Sequence, residues 1–264
     1  MSIGTMMHPR RGYLDIVKKL GLLSNLKLCL DAGDINSYPG TGTQWLDVSG
    51  NGHHFDFGAT TAAPTFNGTA GRLSAAEYFS FDGGDYFTIN GSNPAWVDAL
   101  HEDNALFTIL LPGIWIGVGA TLQRILGTYS GGSNVPGITF AVAASEALQV
   151  IVRGGSGAAL NQTVGGSLLN VAGGWQSYLL GLDESVGANG IRWRKGTATD
   201  NDTSTYTSPS VGAATFPLQI GAGGNGFQPL TAGSRLTGVV ILNTRLSVAD
   251  GLAFYNLTKG RVGL

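Results

Sequence analysis

The run that decides the fold begins at Leu30-Asp31-Ala32-Gly33. It continues through Ser37-Tyr38-Pro39-Gly40-Thr41-Gly42 and ends at Trp45-Leu46-Asp47-Val48-Ser49-Gly50-Asn51-Gly52. Just ahead of it, Leu26-Lys27-Leu28-Cys29-Leu30 alternates in the manner of a strand. Glycines at 33, 40, 42, 50 and 52 let a long irregular loop take positive φ at little steric cost. Asp47, Ser49 and Asn51 are the residue types that turn back onto their own backbone in Asx-type links. Trp45 supplies a large ring to bury and an indole N–H expected to donate one hydrogen bond, which together anchor such a loop to the sheet beneath it.

Outward from this run the texture is that of short strands. Candidates fall at 25–30, 78–81, 86–89, 107–111, 114–118, 124–129, 138–143, 148–152, 176–182, 190–195, 217–220 and 236–242, bounded by glycine. That cadence predicts a sandwich rather than β-α-β units. Asp82-Gly83-Gly84-Asp85 between two of them predicts a hairpin or tight loop. Pro112 and nearby glycines interrupt 106–119, the most apolar stretch, so two strands are expected there. A helix is expected to close the chain, with Ser247 as N-cap, Asp250 completing a capping box, and Leu252, Phe254 and Leu257 as its apolar face. Residues 1–24 differ from the rest. Leu14, Ile16, Val17, Leu20 and Leu23 with Lys18 and Lys19 predict a short amphipathic helix, too short to stand alone in water. It packs on its own domain, 25–264, or serves as an arm that docks on a partner through Leu14, Val17 and Leu20.

Composition removes several classes of function. Glycine takes 42 of 264 positions and charged residues only 12%, while 43% are hydrophobic. Disorder and helical bundles both need more charge or fewer turn formers. A net charge of −2 offers no basic field for a phosphate backbone, so nucleic acid is not an expected partner. Cys29 is the single cysteine and has no disulfide partner within the chain. No signal peptide and no apolar run of membrane-spanning length is visible, so synthesis in the cytoplasm without export by the standard route and without membrane insertion is expected.

The order of these pieces resembles the concanavalin A-like (laminin-G-like) lectin/glucanase domains found in structural proteins of bacteriophages and phage-like particles. The opening run is close to that group's L-D-A, S-Y-P-G-x-G and W-x-D-x-S-G-N-G. Phe81-Asp82-Gly83-Gly84-Asp85-Tyr86 is similar to its F-D-G-x-x-D-Y loop, and Gly174-Trp175 stands at its G-x-W strand. Ile220-Gly221 and Gly238 to Asn243 with Leu246-Ser247 resemble its closing segment, so the likeness runs over about residues 26–257. It implies an all-β jelly-roll sandwich with a short N-terminal helix and a short C-terminal helix. It also implies a place on a virion surface, attached to other virion proteins through the N-terminal segment, a homo-oligomer, and adhesion to cell-surface glycans. A stand-alone carbohydrate-binding module is the alternative, with a polysaccharide hydrolase behind it.

Candidate sites follow from the same residues. Calcium prefers hard oxygen ligands, and Asp31, Asp34, Asp47, Asn51, Asp82 and Asp85 are the loop oxygens on offer; backbone capping is their competing role. Glycosidases work with paired carboxylates, and the glucanase E-x-D-x-x-E strand is missing. The glutamates are Glu77, Glu102, Glu146 and Glu184, and none starts such a pattern, so no catalytic residue is expected. His53 and His54 would point to opposite sides of a strand and cannot easily share a metal. Asp200-Asn201-Asp202 is expected at a hairpin tip. Trp96, Trp115, Trp175 and Trp193 are expected mostly in the core or an interface, and would stack on sugar rings wherever they are exposed.

Overall fold

A computed structural model describes residues 11–264 apart from 60, 118, 120, 132–134, 154–158, 164–172, 188–189 and 202–211. Two antiparallel sheets face one another. The first holds β1 (Leu26–Asp31), β4 (Thr65–Asn67), β5 (Tyr78–Ser80), β7 (Leu106–Trp115), β12 (Gln176–Asp183), β13 (Ile191–Lys195), β14 (Ala198–Asn201), β16 (Arg235–Leu236) and β17 (Gly238–Leu242). The second holds β2 (Gln44–Trp45), β3 (Phe55–Phe57), β6 (Phe87–Ile89), β8 (Gln123–Gly127), β9 (Gly137–Val142), β10 (Leu148–Arg153), β11 (Ala159–Thr163) and β15 (Gln219–Ile220). The helices are α1 (Tyr13–Lys19), α2 (Ala95–Asp98) and α3 (Val248–Val262). This is the all-β sandwich expected, with a helix near each end of the described chain.

The first sheet is apolar on both sides, and its strands show it. In β7, Phe107, Ile109 and Leu111 enter the core between the sheets, whereas Leu110 faces away. In β17, Val239 and Ile241 face inward, and Val240 and Leu242 face outward. The outward set joins Cys29, Leu179 and Leu246 under a cover made by Tyr13, Ile16 and Val17 of α1 and Phe254 of α3. Strands buried on both faces read as continuous apolar runs, and GVVIL in β17 is such a run. Val17, expected among the docking residues, is fully buried in this second core, and Leu14 and Leu20 are partly buried against it. The helix face that carries them is covered by the chain's own domain.

Two expectations need correction. The stretch expected to break at Pro112 is one ten-residue strand. Leu111 pairs with Tyr178 and Ile114 with Gln176, so Pro112 and Gly113 stand opposite Ser177 alone. A bulge asks for no ladder N–H at that point, which is where a proline is tolerated inside a sheet. The pair flanking Asp82-Gly83-Gly84-Asp85 is not a hairpin, because β5 lies in the first sheet and β6 in the second. The tight loop carries the chain from one sheet to the other. The Asp82 N–H donates to Asp85 Oδ2 (2.8 Å) and the Gly84 N–H to Asp82 Oδ1 (2.9 Å).

One buried ion pair joins the two ends. Asp31 Oδ1 lies 2.6 Å from Arg261 Nη2, with Asp31 fully buried and the Arg261 side chain nearly so. The same carboxylate accepts from the backbone N–H of Tyr13 (3.0 Å) and of Gly33 (2.9 Å). The Arg261 guanidinium sits over the Tyr13 ring at 4.4 Å, and the Tyr13 hydroxyl shares a hydrogen bond with Thr237 (2.6 Å). Gly33 is needed at this point because a Cβ there would run into Arg261 Nη2. The far end of α3 is set by Ser247, whose Oγ accepts from the Asp250 N–H at 3.0 Å.

Removing one member of a buried pair leaves the other charge uncompensated, at a cost of about 3–5 kcal/mol. Arg261→Met is therefore expected to shift the urea unfolding midpoint strongly downward, with a second drop absent when Asp31→Asn is added; additive losses would contradict the coupling. Asp85 gives a pH signature. Its carboxyl is pushed up from 3.8 to about 6 by burial, with the Asp82 charge adding to the rise and the Asp82 N–H opposing it. A carboxyl raised on folding contributes stability that is full at low pH and is lost as pH climbs through the folded value. Asp85→Asn keeps an acceptor for the Asp82 N–H, so its melting temperature should gain on the parent's between pH 4 and 7. An unchanged gap across that window would contradict the assignment.

Candidate functional site

The helices cover only part of the first sheet's outer face. Beyond them four adjacent strands run in the order β12-β7-β16-β5. Ile114, Leu236 and Phe79 point into the core. Side chains alternate along a strand, so their neighbours Trp115, Arg235 and Tyr78 point outward. Trp175 enters the same place from the residue just before β12. The four form a closed ring of contacts. Trp115 and Trp175 meet edge to face at 6.0 Å, and Trp175 meets Tyr78 at 5.7 Å. The Arg235 guanidinium stands 4.7 Å from the Trp115 ring and 5.1 Å from the Tyr78 ring. All four side chains are half-buried.

Register explains the guanidinium's position, since Arg235 pairs with Trp115 on one side and Ser80 on the other. Ring faces attract a cation electrostatically, at about 0.5–1 kcal/mol when exposed. Nothing else holds this one: among the described residues Arg235 donates to no acceptor and has no acidic partner. Polar groups flank the ring, with Asn67 Nδ2 donating to Ser80 Oγ at 3.0 Å. The patch therefore offers aromatic faces, a planar set of free N–H donors and small hydroxyl and amide groups at the rim. Such a surface can stack the C–H face of a ring-shaped polyol while the guanidinium takes its hydroxyl or carboxylate oxygens.

The structure sorts the tryptophans named from sequence. Trp193 is core, and Trp96 is packed against the core with its indole N–H sealed and unpaired. Trp115 and Trp175 are the pair left partly open and brought together. Tyr78 and Arg235 were not singled out from sequence; their signal was the inward Phe79 and Leu236 beside them.

The loop oxygens weighed for calcium act on the backbone. Asp47 accepts from Cys29 N–H (3.0 Å), Ser49 N–H (2.9 Å), Ser49 hydroxyl (2.7 Å) and His53 N–H (3.1 Å). Asn51 donates to the carbonyls of Leu26 and Lys27, and Asp34 accepts from the N–H of Asn36. Asp31 and Asp34 share one turn, Asp47 lies in the next loop, and Asp82 and Asp85 share the loop between the sheets. Among the described residues no three His, Cys, Asp or Glu side chains converge on one point. His54 Nδ1 accepts from the Asp47 N–H at 3.0 Å, and His53 lies 5.7 Å from Trp96. Asp200 and Asn201 lie on β14, paired with Trp193 and Arg192, rather than at a hairpin tip; residue 202 is outside the described residues. Glu77 and Glu184 also hold backbone N–H groups, of Ser74 and Ala105. In a cleft between residues 91–93 and 213–217, Asp98 accepts from the Ala214 N–H and Asn93 from the Leu218 N–H.

No family model matches the chain, and no curated protein matches it. Solved structures do match in shape. One is that of botulinum neurotoxin type C, described by its cell entry through interaction with two ganglioside molecules, at TM-score 0.60 and 8% identity over 90% of this chain and 52% of that one. The binding domain of botulinum neurotoxin DC in complex with SialylT matches at TM-score 0.61 and 10% identity, over 89% of this chain and 52% of that one. Trypanosoma rangeli sialidase in complex with sialic acid matches at TM-score 0.54 and 14% identity, over 90% of this chain and 33% of that one. The chain thus spans about half or a third of these neighbours' length. At such identities what is shared is the β-sandwich fold.

Proposed function

We propose that this domain is a non-enzymatic glycan-binding module carried on the surface of a bacteriophage or phage-like particle, with Tyr78, Trp115, Trp175 and Arg235 as its sugar platform. The observation that carries the binding role is the half-open aromatic ring around a guanidinium that has no partner among the described residues. The neighbours in shape include proteins described with gangliosides and sialic acid, which supports the same class of ligand. The non-enzymatic reading rests on the sequence: the glucanase E-x-D-x-x-E strand is missing, and none of Glu77, Glu102, Glu146 and Glu184 starts such a pattern. Glycoside hydrolysis canonically uses a pair of carboxylates flanking the bond.

The particle setting rests on the ordered likeness between residues 26–257 and phage structural domains. Attachment to other virion proteins would use the N-terminal segment, where Leu14 and Leu20 remain partly reachable on α1 while Val17 is inside. Oligomerisation is a second use for the same platform, because Trp, Tyr and Arg are the types that dominate interface hot spots.

A glycan array with the parent and with Trp115→Ala and Arg235→Ala tests the reading, with and without calcium. Retention of at least one class of cell-surface glycan is expected, weakened about tenfold or more by either substitution, a change of about 1.4 kcal/mol. Both variants should melt near the parent because the side chains are half-open. No retained glycan, or retention indifferent to both substitutions, would refute the platform. Light scattering separates the second use, since a subunit interface predicts a smaller assembly for Trp115→Ala. Loss of binding on calcium removal would bring the loop aspartates back as ligands.

A further inference from the structure

The opposite face of the sandwich holds a second unusual group of charges. In β9 and β10, Ile138, Phe140, Val150 and Val152 point into the core. Thr139 and Arg153 therefore face outward from the second sheet. Arg124 of β8 joins them and is only 2% exposed. Among the described residues every partner of its guanidinium is neutral. Nε donates to Gln228 Oε1 at 3.1 Å, and Nη1 donates to the Tyr129 carbonyl at 3.0 Å and Thr139 Oγ1 at 2.8 Å. The Tyr129 and Phe227 rings lie 4.7 Å and 4.6 Å from its carbon.

A cation taken out of water costs several kcal/mol unless a counter-charge offsets it. Arg124 has none among the described residues, and a second guanidinium makes matters worse. Arg153 sits over the same Tyr129 ring at 5.6 Å. Its Nε is buried without an acceptor. Burial, with the Arg153 charge adding to it, pushes Arg124 down to about 10, against the influence of Tyr129. Two donors are left over at Arg124, because Nη2 bonds to none of the described residues. Like charges held together, with N–H groups left over and no acid among the described residues, are the arrangement that an added anion relieves, and paired guanidinium forks match the oxygens of carboxylate, phosphate or sulfate.

We propose that Arg124 and Arg153 form a binding site for one oxyanion, held between the two guanidiniums against the Tyr129 and Phe227 rings. The ligand is a carboxylate on an acidic sugar, or a free phosphate or sulfate; all present the same oxygens. The site is on the other sheet from the Trp115 platform and stands or falls separately from it.

The test is titration of the full chain, followed by melting temperature and calorimetry. Ligands are phosphate, sulfate, glucuronate and N-acetylneuraminate, with glucose and chloride of equal ionic strength as controls. At least one oxyanion is expected to raise the melting temperature saturably, while glucose and chloride do not. Arg153→Gln should weaken that binding tenfold or more and leave the ligand-free protein as stable as the parent or more so, because a repulsion is removed. Binding of a sugar acid but not phosphate or sulfate assigns the acidic saccharide, and the reverse assigns the free ion. Protection of Arg153 from phenylglyoxal by the bound anion, read by peptide mapping on the parent, keeps the site testable should the variant not fold. No saturable shift with any oxyanion, unchanged affinity in Arg153→Gln, or no protection of Arg153 would overturn it. Neutral-glycan retention at the Trp115 platform is expected to be unaffected by Arg153→Gln.

Discussion

The ion pair between Asp31 and Arg261 is the constraint on which the arrangement of this chain depends. Asp31 stands at the end of β1, and Arg261 in the last turn of α3. By also accepting the Tyr13 N–H, the carboxylate fixes where α1 begins. Three segments distant in sequence are thus tied at one buried point, and that point lies on the outer face of one sheet. The hydrophobic cluster of α1, α3, β1 and β17 then grows from it, covering the strands' outward residues. A buried pair is a weak source of net stability, because desolvation offsets the attraction. Its value here is geometric: it specifies which part of the sheet the helices cover, and so which part remains open.

That division gives the platform its character. A sheet face with one solvated side ordinarily alternates apolar and polar residues. Past the edge of the helical cover the outward positions instead carry Trp115 and Tyr78, with Arg235 between them. Aromatic rings left half-open on a face where the rest of the apolar surface is sealed are costly to leave in water, and the stacked guanidinium only partly screens them. The strands that carry it are anchored by the inward partners Ile114, Leu236 and Phe79, which are fully buried.

Much of this fold was legible in the sequence where the chemistry is local. Asp47 and Ser49 form the local backbone links that their residue types suggested. Ser247 caps α3, with Asp250 bonding the Ser247 hydroxyl rather than the N–H of a full capping box. Asn51 instead reaches the Leu26 and Lys27 carbonyls, and the buried Trp45 indole N–H has no acceptor among the described residues. What was not legible depended on other segments. Whether Pro112 ends a strand is decided by Ser177 opposite it, and whether Asp82 to Asp85 turns a hairpin is decided by which sheet receives Phe87. The platform is harder still. Its residues come from positions 78, 115, 175 and 235, and strands β5, β16, β7 and β12 are neighbours only in space. Alternation beside a core residue reveals the face of each, but no local pattern reveals that the four meet.

The two faces also differ in how a ligand would be recognised. With 12% charged residues and a net charge of −2, the chain has little long-range field to draw a partner in. Recognition must rest on contact: ring faces on one side, and a local excess of positive charge in a low-dielectric setting on the other. Contacts of a single shallow platform give weak binding, since each stacked or hydrogen-bonded group contributes little beyond what water offered. Weakness of one copy is compatible with strong adhesion when many copies are held together. Linking sites that can engage at once raises the overall affinity by about 10²–10⁴ without any new contact. On the proposed particle, an open platform beside helices tied down at one point would be presented in many copies at once.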